Sequence, residues 1–395
     1  MRNLPKQSFF KNKRVLVRVD FNIELKNRKV IDDFDILRAL KTIKYVSGRA
    51  KYTLLISHLG NPGEGEGLRS LRPVGVHLSG LLRKKVYFVF DKIKDLKNSL
   101  AVLPENSIVL LENIRFYSGE YANGRYVDSM FFAKELASLG DCYINEAFGE
   151  SHRRVSTVSA ITNFLPSFAG FNFQDEIKHL DKLKSKPLKP LALILGGAKM
   201  KTKLPLIKSF IKKADYILLG GAIANTFLKA RGFEICKSLY EKKFVNEAKK
   251  LLKHKNIILP TDYIVAMSLK SKVSHVFKTT DRQSSTAGRI LDIGPESLKQ
   301  FREIIKSART IIWNGPMGYY ENQVFAKSTK AVAKEIFVNK RAFKVIGGGD
   351  STAFLKNSKL KNQKSKIPNL FISTGGGSML EYLAGKNLPG VKVLS

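Results

Sequence analysis

The chain has 395 residues, 44% of them hydrophobic, and carries 69 basic against 33 acidic side chains for a formal charge of +36. That length exceeds what one core usually supports, so two domains are expected. No apolar run approaches the roughly 20 residues of a membrane span, and the start Met1-Arg2-Asn3-Leu4-Pro5 lacks the apolar stretch of a signal peptide, so no membrane partner and a cytoplasmic location are expected.

Strand-like runs in the first half span Arg14 to Val19, Tyr52 to Ile56, Lys85 to Phe90, Ser107 to Leu111 and Asp141 to Asn145. Between most of them lie helical periodicities. Asp32 and Asp33 are placed to cap a helix through Ile36, Leu40, Ile43 and Val46 that Gly48 would stop, and Val127 to Leu139 reads as another, ended by Gly140. These runs empty into polar residues: Asp20 and Asn22, two apart and so on one side of the chain, Ser57-His58-Leu59-Gly60, Arg115, and Arg153. Arg38 falls in the first turns of the helix after Asn22. Arginines at strand ends suit bidentate binding of carboxylate and phosphate oxygens, so these residues describe a pocket for a small hydroxylated anion; His58 taken alone reads as a structural histidine. The cysteines, Cys142 and Cys236, lie far apart in apolar runs and read as buried thiols, not as a disulfide or metal site.

After Gly170 the rhythm pauses over 172–190, where Ile177, Leu180 and Leu183 mark one amphipathic helix closed by Pro187 and Pro190, read as interdomain. Strands resume at Leu191 to Leu195, Tyr216 to Leu219, Asn256 to Leu259, Thr310 to Trp313, Phe343 to Ile346 and Leu370 to Ser373. Short, nearly continuous apolar strands alternating with helices imply parallel sheets covered on both faces. The expected fold is α/β, with two doubly wound, Rossmann-like parallel-sheet domains joined by a helix. Domain boundaries fall at 1–171 with the returning segment 380–395, a linker at 172–190, and 191–379.

In the second half the strand ends are glycines: Gly196-Gly197-Ala198-Lys199, Gly220-Gly221-Ala222, Asn314-Gly315-Pro316-Met317-Gly318, Gly347-Gly348-Gly349-Asp350-Ser351 and Gly375-Gly376-Gly377. Ligands of open α/β sheets sit at carboxyl ends of strands, and glycine there lets backbone amides approach a phosphate and tolerates positive φ. Neither GxxxxGK[ST] nor a GxGxxG after a strand occurs, which excludes a P-loop and a standard dinucleotide fold; Gly63, Gly65 and Gly67 alternate with glutamates that would repel phosphate. A carboxylate beside bound phosphates calls for a divalent cation, so Asp350 reads as a Mg²⁺ ligand in preference to a helix cap. Lys199 and Lys203, four apart at a helix start, suit a moving phosphoryl group or are simply solvated. Glu321 is placed to accept hydrogen bonds from ribose hydroxyls or is an ordinary surface acid.

Taken together, Arg18-Val19-Asp20-Phe21-Asn22, Ser57-His58-Leu59-Gly60, Glu112-Asn113-Ile114-Arg115-Phe116, Ala147-Phe148-Gly149 with His152-Arg153, Leu195 to Lys199, Leu291-Asp292-Ile293-Gly294-Pro295, Trp313 to Gly318, Gly347 to Ser351 and Ser373 to Gly377 closely resemble the phosphoglycerate kinase family, in family order over essentially the whole chain. The resemblance implies reversible transfer of the acyl phosphate of 1,3-bisphosphoglycerate to MgADP, giving 3-phosphoglycerate and MgATP, by direct in-line transfer as two ligand-bearing domains close. It implies that Asp20, Asn22, Arg38, His58, Arg115 and Arg153, with position 61, hold the phosphoglycerate. Arg38, Lys199, Lys203, Gly376 and Gly377 would serve the transfer itself, and Gly197, Lys203, Gly221, Asn314, Glu321, Gly347, Gly348, Gly349, Asp350 and Ser351 would hold the nucleotide, with Asp350 on the metal. A monomer is implied as well.

The chain departs from the family pattern at several of these places. Asn61 stands where the family has Arg, which removes a cation from the acid-binding side unless Arg69 or Arg72 takes its place. Val155 replaces a usual His, Glu24 a usual Pro, and Ala222 a third Gly near the nucleoside pocket, where its methyl could crowd base or ribose. The competing reading is a kinase-like protein whose basic surface binds nucleic acid or another polyanion. Against it, the excess is lysine at helical spacings such as Lys178, Lys182 and Lys189, or in loops such as 356–366, and no nucleic-acid module is present.

Overall fold

The computed structural model describes residues 1–61, 69–122, 125–126, 129–278, 288–349, 351 and 367–395; Gly63, Gly65, Gly67, Val127, the 356–366 loop and Asp350 lie outside these. The chain divides into two compact units, Met1–Lys178 with Asn387–Ser395, and His179–Lys386. It passes from the first to the second within the helix Phe171–Ser185. Leu380 to Lys386, expected with the returning segment, belongs to the second unit, where the helix Gly377–Leu383 packs on the helix Met200–Phe210.

In the first unit the apolar runs become β1 Arg14–Arg18, β2 Tyr52–Ile56, β3 Val86–Val89, β4 Ser107–Leu111, β5 Cys142–Asn145 and β6 Ser167–Ala169. They form one parallel six-stranded sheet in the order β6-β5-β1-β2-β4-β3. Alternate side chains of a strand face opposite sides, and both sides are covered. Val15, Val17, Leu55 and Leu110 pack with Ile36 and Ile43 of the helix Phe34–Ser47 and with Val74 and Leu78 of the helix Arg72–Leu82. Leu16, Leu54, Ile56 and Val109 pack with Leu96 of the helix Ile93–Ala101 and Leu136 of the helix Met130–Ala137. This is why the strands read as unbroken apolar runs.

Two helix ends differ from expectation. Asp33 precedes the helix Phe34–Ser47 but makes no capping bond, because its carboxylate pairs with His77 Nε2 at 3.2 Å; Gly48 ends the helix in ordinary right-handed backbone. The helix expected from Val127 is Met130–Ala137, started by Ser129, whose Oγ accepts from Phe132 N at 3.2 Å, a bond that satisfies an otherwise orphaned amide.

The second unit contains β7 Leu191–Leu195, β8 Tyr216–Leu219, β9 Ile257–Ile258, β10 Asp262–Ala266, β11 His275–Lys278, β12 Arg289–Ile293, β13 Thr310–Asn314, β14 Phe343–Ile346 and β15 Leu370–Ile372. A parallel sheet runs β9-β8-β7-β13-β14-β15, and a separate antiparallel sheet runs β11-β10-β12. The antiparallel sheet has no counterpart among the expected strands. Its β11 is largely exposed, so it lacks the continuous apolar run that marks a doubly covered strand. In the later part of Phe171–Ser185, His179 stacks on Phe371 with 4.1 Å between ring centroids and Asp181 accepts from the Tyr382 hydroxyl at 2.6 Å. The C-terminal segment is pinned to the first unit by Gly390 N donating to Ser151 O (3.0 Å) and Arg2 N to Leu394 O (2.7 Å).

In each parallel sheet the strand order reverses beside a central strand, between β1 and β5 in the first unit and between β7 and β13 in the second. Loops diverge at such a point and leave a crevice for a ligand. Among the described residues no helix is long and apolar enough to cross a membrane. Cys142 is buried, and burial pushes its thiol up to about 12. Cys236, expected to be buried as well, is only half-buried, in a turn at φ +50°.

Candidate functional site

At the carboxyl end of the first sheet, the loops after β1, β2, β4 and β5 bring together most of the polar residues singled out in the sequence. Ser57 Oγ accepts from Phe21 N (2.8 Å) and Asn22 Oδ1 from Gly60 N (2.8 Å), which ties the β1 exit to the β2 exit. Arg115 donates through Nη1 to Gly60 O (2.9 Å) and Asn61 Oδ1 (2.8 Å), and through Nη2 to Glu150 Oε2 (3.0 Å). Arg153 Nε lies 3.1 Å from Glu150 Oε1. His58 is buried, with Nε2 3.7 Å from Glu150 and Nδ1 3.8 Å from Asp20.

Glu150, which the sequence reading missed, is thus the counter-ion of the cluster. Its position three residues before Arg153, at the end of the Ala147-Phe148-Gly149 motif, was the available signal. Burial alone would raise its carboxyl, but the charges around it, the guanidiniums of Arg153, Arg18 and Arg115 among them, draw it below the usual carboxylate range. Burial, with Arg18, Arg115 and Arg153 nearby, pushes His58 well below the usual imidazole value despite Glu150, so it is neutral at physiological pH and acts as a hydrogen-bonding group. Burial and the neighbouring Glu150 and Asp35 raise Asp20. Arg18 is itself buried, donating to Thr157 Oγ1 at 2.9 Å and lying 3.3 Å from His58 Nδ1.

Two further buried groups position the site. Asn113 Oδ1 accepts from Leu59 N (3.2 Å) and Arg115 N (3.1 Å), while its Nδ2 donates to Leu59 O (2.8 Å) and Arg69 O (3.0 Å). Glu146 accepts from Thr42 Oγ1 (2.7 Å) and Asn172 N (3.0 Å), and Asn172 Oδ1 in turn accepts from Arg38 Nε (2.8 Å). Arg38 is therefore aimed from outside its own helix.

Burial pushes the Glu146 carboxyl up to about 8, against the hydrogen bonds from Thr42, Asn172 and Phe173 that favour its charged form. A carboxyl raised in the folded state stabilises the fold fully below its unfolded pKa of roughly 4.3 and loses that contribution as pH climbs through the folded value. Glu146→Gln removes this dependence. Between pH 5 and 8 the wild type should lose stability relative to the variant by up to about 1.4 kcal/mol per pH unit, read from urea midpoints; parallel pH profiles would count against a buried neutral Glu146.

In the second unit the glycine exits after β7, β8, β13 and β14 also meet, but their backbone is used differently from expectation. Gly196 N donates to Asn314 O (2.9 Å), Gly197 N to Pro316 O (2.8 Å), Gly221 N to Met317 O (2.8 Å) and Gly347 N to Trp313 O (3.1 Å). Gly315 N donates to Ser351 Oγ (2.6 Å), and Asn314 Nδ2 to Gly347 O (2.6 Å). These amides serve protein acceptors, not a phosphate. Glycine is required instead because loop packs on loop: a Cβ on Gly196 would overlap Pro316 O, and one on Gly315, at φ +90°, would overlap Gly196 O. Gly349 and Gly376 differ, since a Cβ on either would meet nothing within 4 Å.

Gly197, Gly221, Ala222 and Glu321 line a pocket of 330 Å³ whose apolar wall includes Leu239 and Leu291. The Ala222 methyl leaves a cavity of small-ligand size. Asn225 is buried on the same wall; its Nδ2 donates to Leu239 O (3.0 Å), and its Oδ1 has no hydrogen-bond partner among the described residues. Lys199 is exposed at the residue before the helix Met200–Phe210, whereas Lys203, one turn in, is buried. Gly376 precedes the helix Gly377–Leu383 at φ +47°. Among the described residues no group of three or more His, Cys, Asp or Glu side chains is placed to hold a metal ion.

The phosphoglycerate kinase family profile matches residues 6–386. The chain belongs to the phosphoglycerate kinase family. It is 42% identical over 392 residues to the phosphoglycerate kinase of Dictyoglomus turgidum, covering 97% of this chain and 96% of that one. With the phosphoglycerate kinase of Pelotomaculum thermopropionicum it shares 38% identity over 391 residues, covering 97% and 96%. The crystal structure of phosphoglycerate kinase from Pyrococcus horikoshii superposes with a TM-score of 0.86 at 29% identity, covering all of this chain and 98% of that one. The structure of the enzyme from Coxiella burnetii gives 0.81 at 34% identity, covering 98% and 96%. Members of this family are phosphotransferases of glycolysis with a carboxyl group as acceptor, and MgADP and MgATP are their co-substrates.

Proposed function

We propose that the protein is a phosphoglycerate kinase, moving the acyl phosphate of 1,3-bisphosphoglycerate to MgADP and, in reverse, the γ-phosphate of MgATP to the carboxylate of 3-phosphoglycerate. The observation that carries the reading is the cluster of Arg115, Arg153, His58, Asp20 and Asn22 around the β1–β5 switch point, in a chain whose family match runs over residues 6–386. Arg115 and Arg153 bind the anionic groups of the acid, Asn22 and Asp20 its hydroxyl, and neutral His58 adds a hydrogen bond without adding charge.

Arg38, oriented at Nε by Asn172, stabilises the transferring phosphoryl group. Lys199 and Lys203 complete the neutralisation, and Gly376 and Gly377 present backbone there. The 330 Å³ pocket takes the nucleoside, with Glu321 at the ribose; Gly347 to Gly349 and Ser351 lie along the phosphates. Asp350 would be the protein carboxylate for the Mg²⁺ of the nucleotide, which would supply neutralisation of phosphate charge, in keeping with the preference of this ion for phosphate oxygens and one or two carboxylates.

No side-chain nucleophile is needed, because substrate oxygens exchange the group directly, and catalysis is positioning plus electrostatics. Direct transfer further requires the two substrates to meet with water excluded, since water would hydrolyse the acyl phosphate. We assign the protein a cytoplasmic, monomeric existence with no nucleic-acid partner, the lysine excess being solvated surface. The test is ATP-dependent phosphorylation of 3-phosphoglycerate, coupled to reductive consumption of the product. Folded protein with no turnover in MgATP would reject the reading.

A further inference from the structure

The resemblance implies an arginine where this chain has Asn61, and the surroundings of Asn61 show what the asparagine does and which cation stands beside it. Asn61 Oδ1 accepts from Arg115 Nη1 at 2.8 Å, beside the bond from the same nitrogen to Gly60 O at 2.9 Å. An arginine here has no acceptor to offer, and would set a second guanidinium against that nitrogen.

Arg69 runs across the face of Gly60: a Cβ on this glycine, which sits at φ +54°, would overlap the Cδ, Nε and Nη1 of Arg69. The guanidinium of Arg69 therefore lies against the residue whose N–H is bonded to Asn22 and whose carbonyl is bonded to Arg115. It is also firmly planted. Its carbonyl accepts from Asn113 Nδ2 (3.0 Å), and the next residues are held by Glu112, which accepts from Ser70 Oγ (2.6 Å) and Leu71 N (2.8 Å). The motif that presents Arg115 thus fixes Arg69 as well. Arg72, the other arginine near enough in sequence, is turned elsewhere: its guanidinium lies over the Phe88 ring at 4.8 Å, beside the edge strand β3.

We propose that Arg69 is a substrate-binding residue of this enzyme, supplying to the anionic end of the phosphoglycerate the cation that an arginine at position 61 would supply, and that Asn61 has become a positioning residue for Arg115. The inference rests on the phosphoglycerate kinase reading. A guanidinium placed beside Asn22 and Arg115 adds charge-assisted donors to the same oxygens that Arg115 meets. The absence of a side chain at Gly60 is what makes the approach sterically open.

The test is steady-state kinetics with MgATP and 3-phosphoglycerate on the full chain, comparing wild type, Arg69→Ala, Arg69→Lys and Arg72→Ala. Loss of a charge-assisted hydrogen bond to a bound anion is expected to raise the KM for 3-phosphoglycerate by about tenfold or more in Arg69→Ala. The KM for ATP should stay unchanged, which a general structural defect would not allow. Arg72→Ala should behave as wild type, and Arg69→Lys, which keeps the charge but not the planar fork, should fall between wild type and Arg69→Ala. An unchanged KM for 3-phosphoglycerate in Arg69→Ala, or a rise in Arg72→Ala instead, overturns the assignment. A defect that raises both KM values equally, or that is no milder in Arg69→Lys than in Arg69→Ala, overturns it too. An inactive wild type would instead reject the kinase reading itself, so the two failures are distinct.

Discussion

Arg38→Ala should lower turnover about 100-fold or more, in line with the loss of one preorganised transition-state donor. Arg38 lies in the second turn of the helix Phe34–Ser47, where an unassisted side chain would sample many rotamers at an entropic cost on binding. Here Nε is fixed by Asn172 Oδ1 at 2.8 Å, Asn172 N is fixed by Glu146 at 3.0 Å, and Nη2 lies 3.8 Å from Asp175. The guanidinium is thus oriented before substrate arrives, which is the condition under which a donor acts in the transition state without reorganising. The coupled assay at saturating substrates reads the loss directly, and the KM values should move far less than kcat. Arg38→Lys should not restore the rate, because one ammonium cannot both hold Asn172 and reach a phosphoryl oxygen as a planar fork does. Near-normal turnover in Arg38→Ala would remove the residue from the transfer step.

Glu150→Ala should destabilise the protein by about 3–5 kcal/mol, the scale for removing one partner of a buried ion pair. Its carboxylate is 6% exposed and faces Arg115 at 3.0 Å, Arg153 at 3.1 Å and His58 at 3.7 Å. Without it, cations gathered to bind a substrate anion would repel one another in a poorly solvated site. Urea unfolding should show the shift in midpoint, and 3-phosphoglycerate should return part of the loss by taking over the role of counter-ion. A midpoint equal to that of the wild type would mean that the arginines need no internal counter-charge. The same reasoning makes Glu150 the group that holds the arginines in place for a ligand anion to join.

Much of this was legible in the chain because the signals are local. A strand covered on both faces must be apolar at successive positions, so β1, β2, β4, β7 and β13 announce themselves, and the residues that follow them are where a ligand can be met. His58, Arg115, Arg153 and Glu321 were singled out in that way; the structure gathers the first three around Glu150 and sets Glu321 on the pocket wall. Other features were not legible. Strand β11 is exposed and paired only on one side, so it carries no strong pattern. Glu150, Asn113 and Glu146 look like ordinary polar residues until partners distant in sequence close around them.

The glycine loops mark the division most clearly. The amino-acid order alone determined that Gly196, Gly221, Gly315 and Gly347 close successive strands of one sheet, because composition and periodicity are properties of consecutive residues. Only the tertiary structure decided why those glycines are needed, since a Cβ on Gly196 or Gly315 fails against a loop more than a hundred residues away in the chain. The same holds at the acid pocket. The sequence determined that an arginine is absent at position 61 and that Arg69 and Arg72 lie nearby. Which of the two faces the site depended on Asn113 and Glu112 fixing the backbone of Arg69 to Ser70, and on the Phe88 ring drawing Arg72 away, contacts that exist only once the strands have paired.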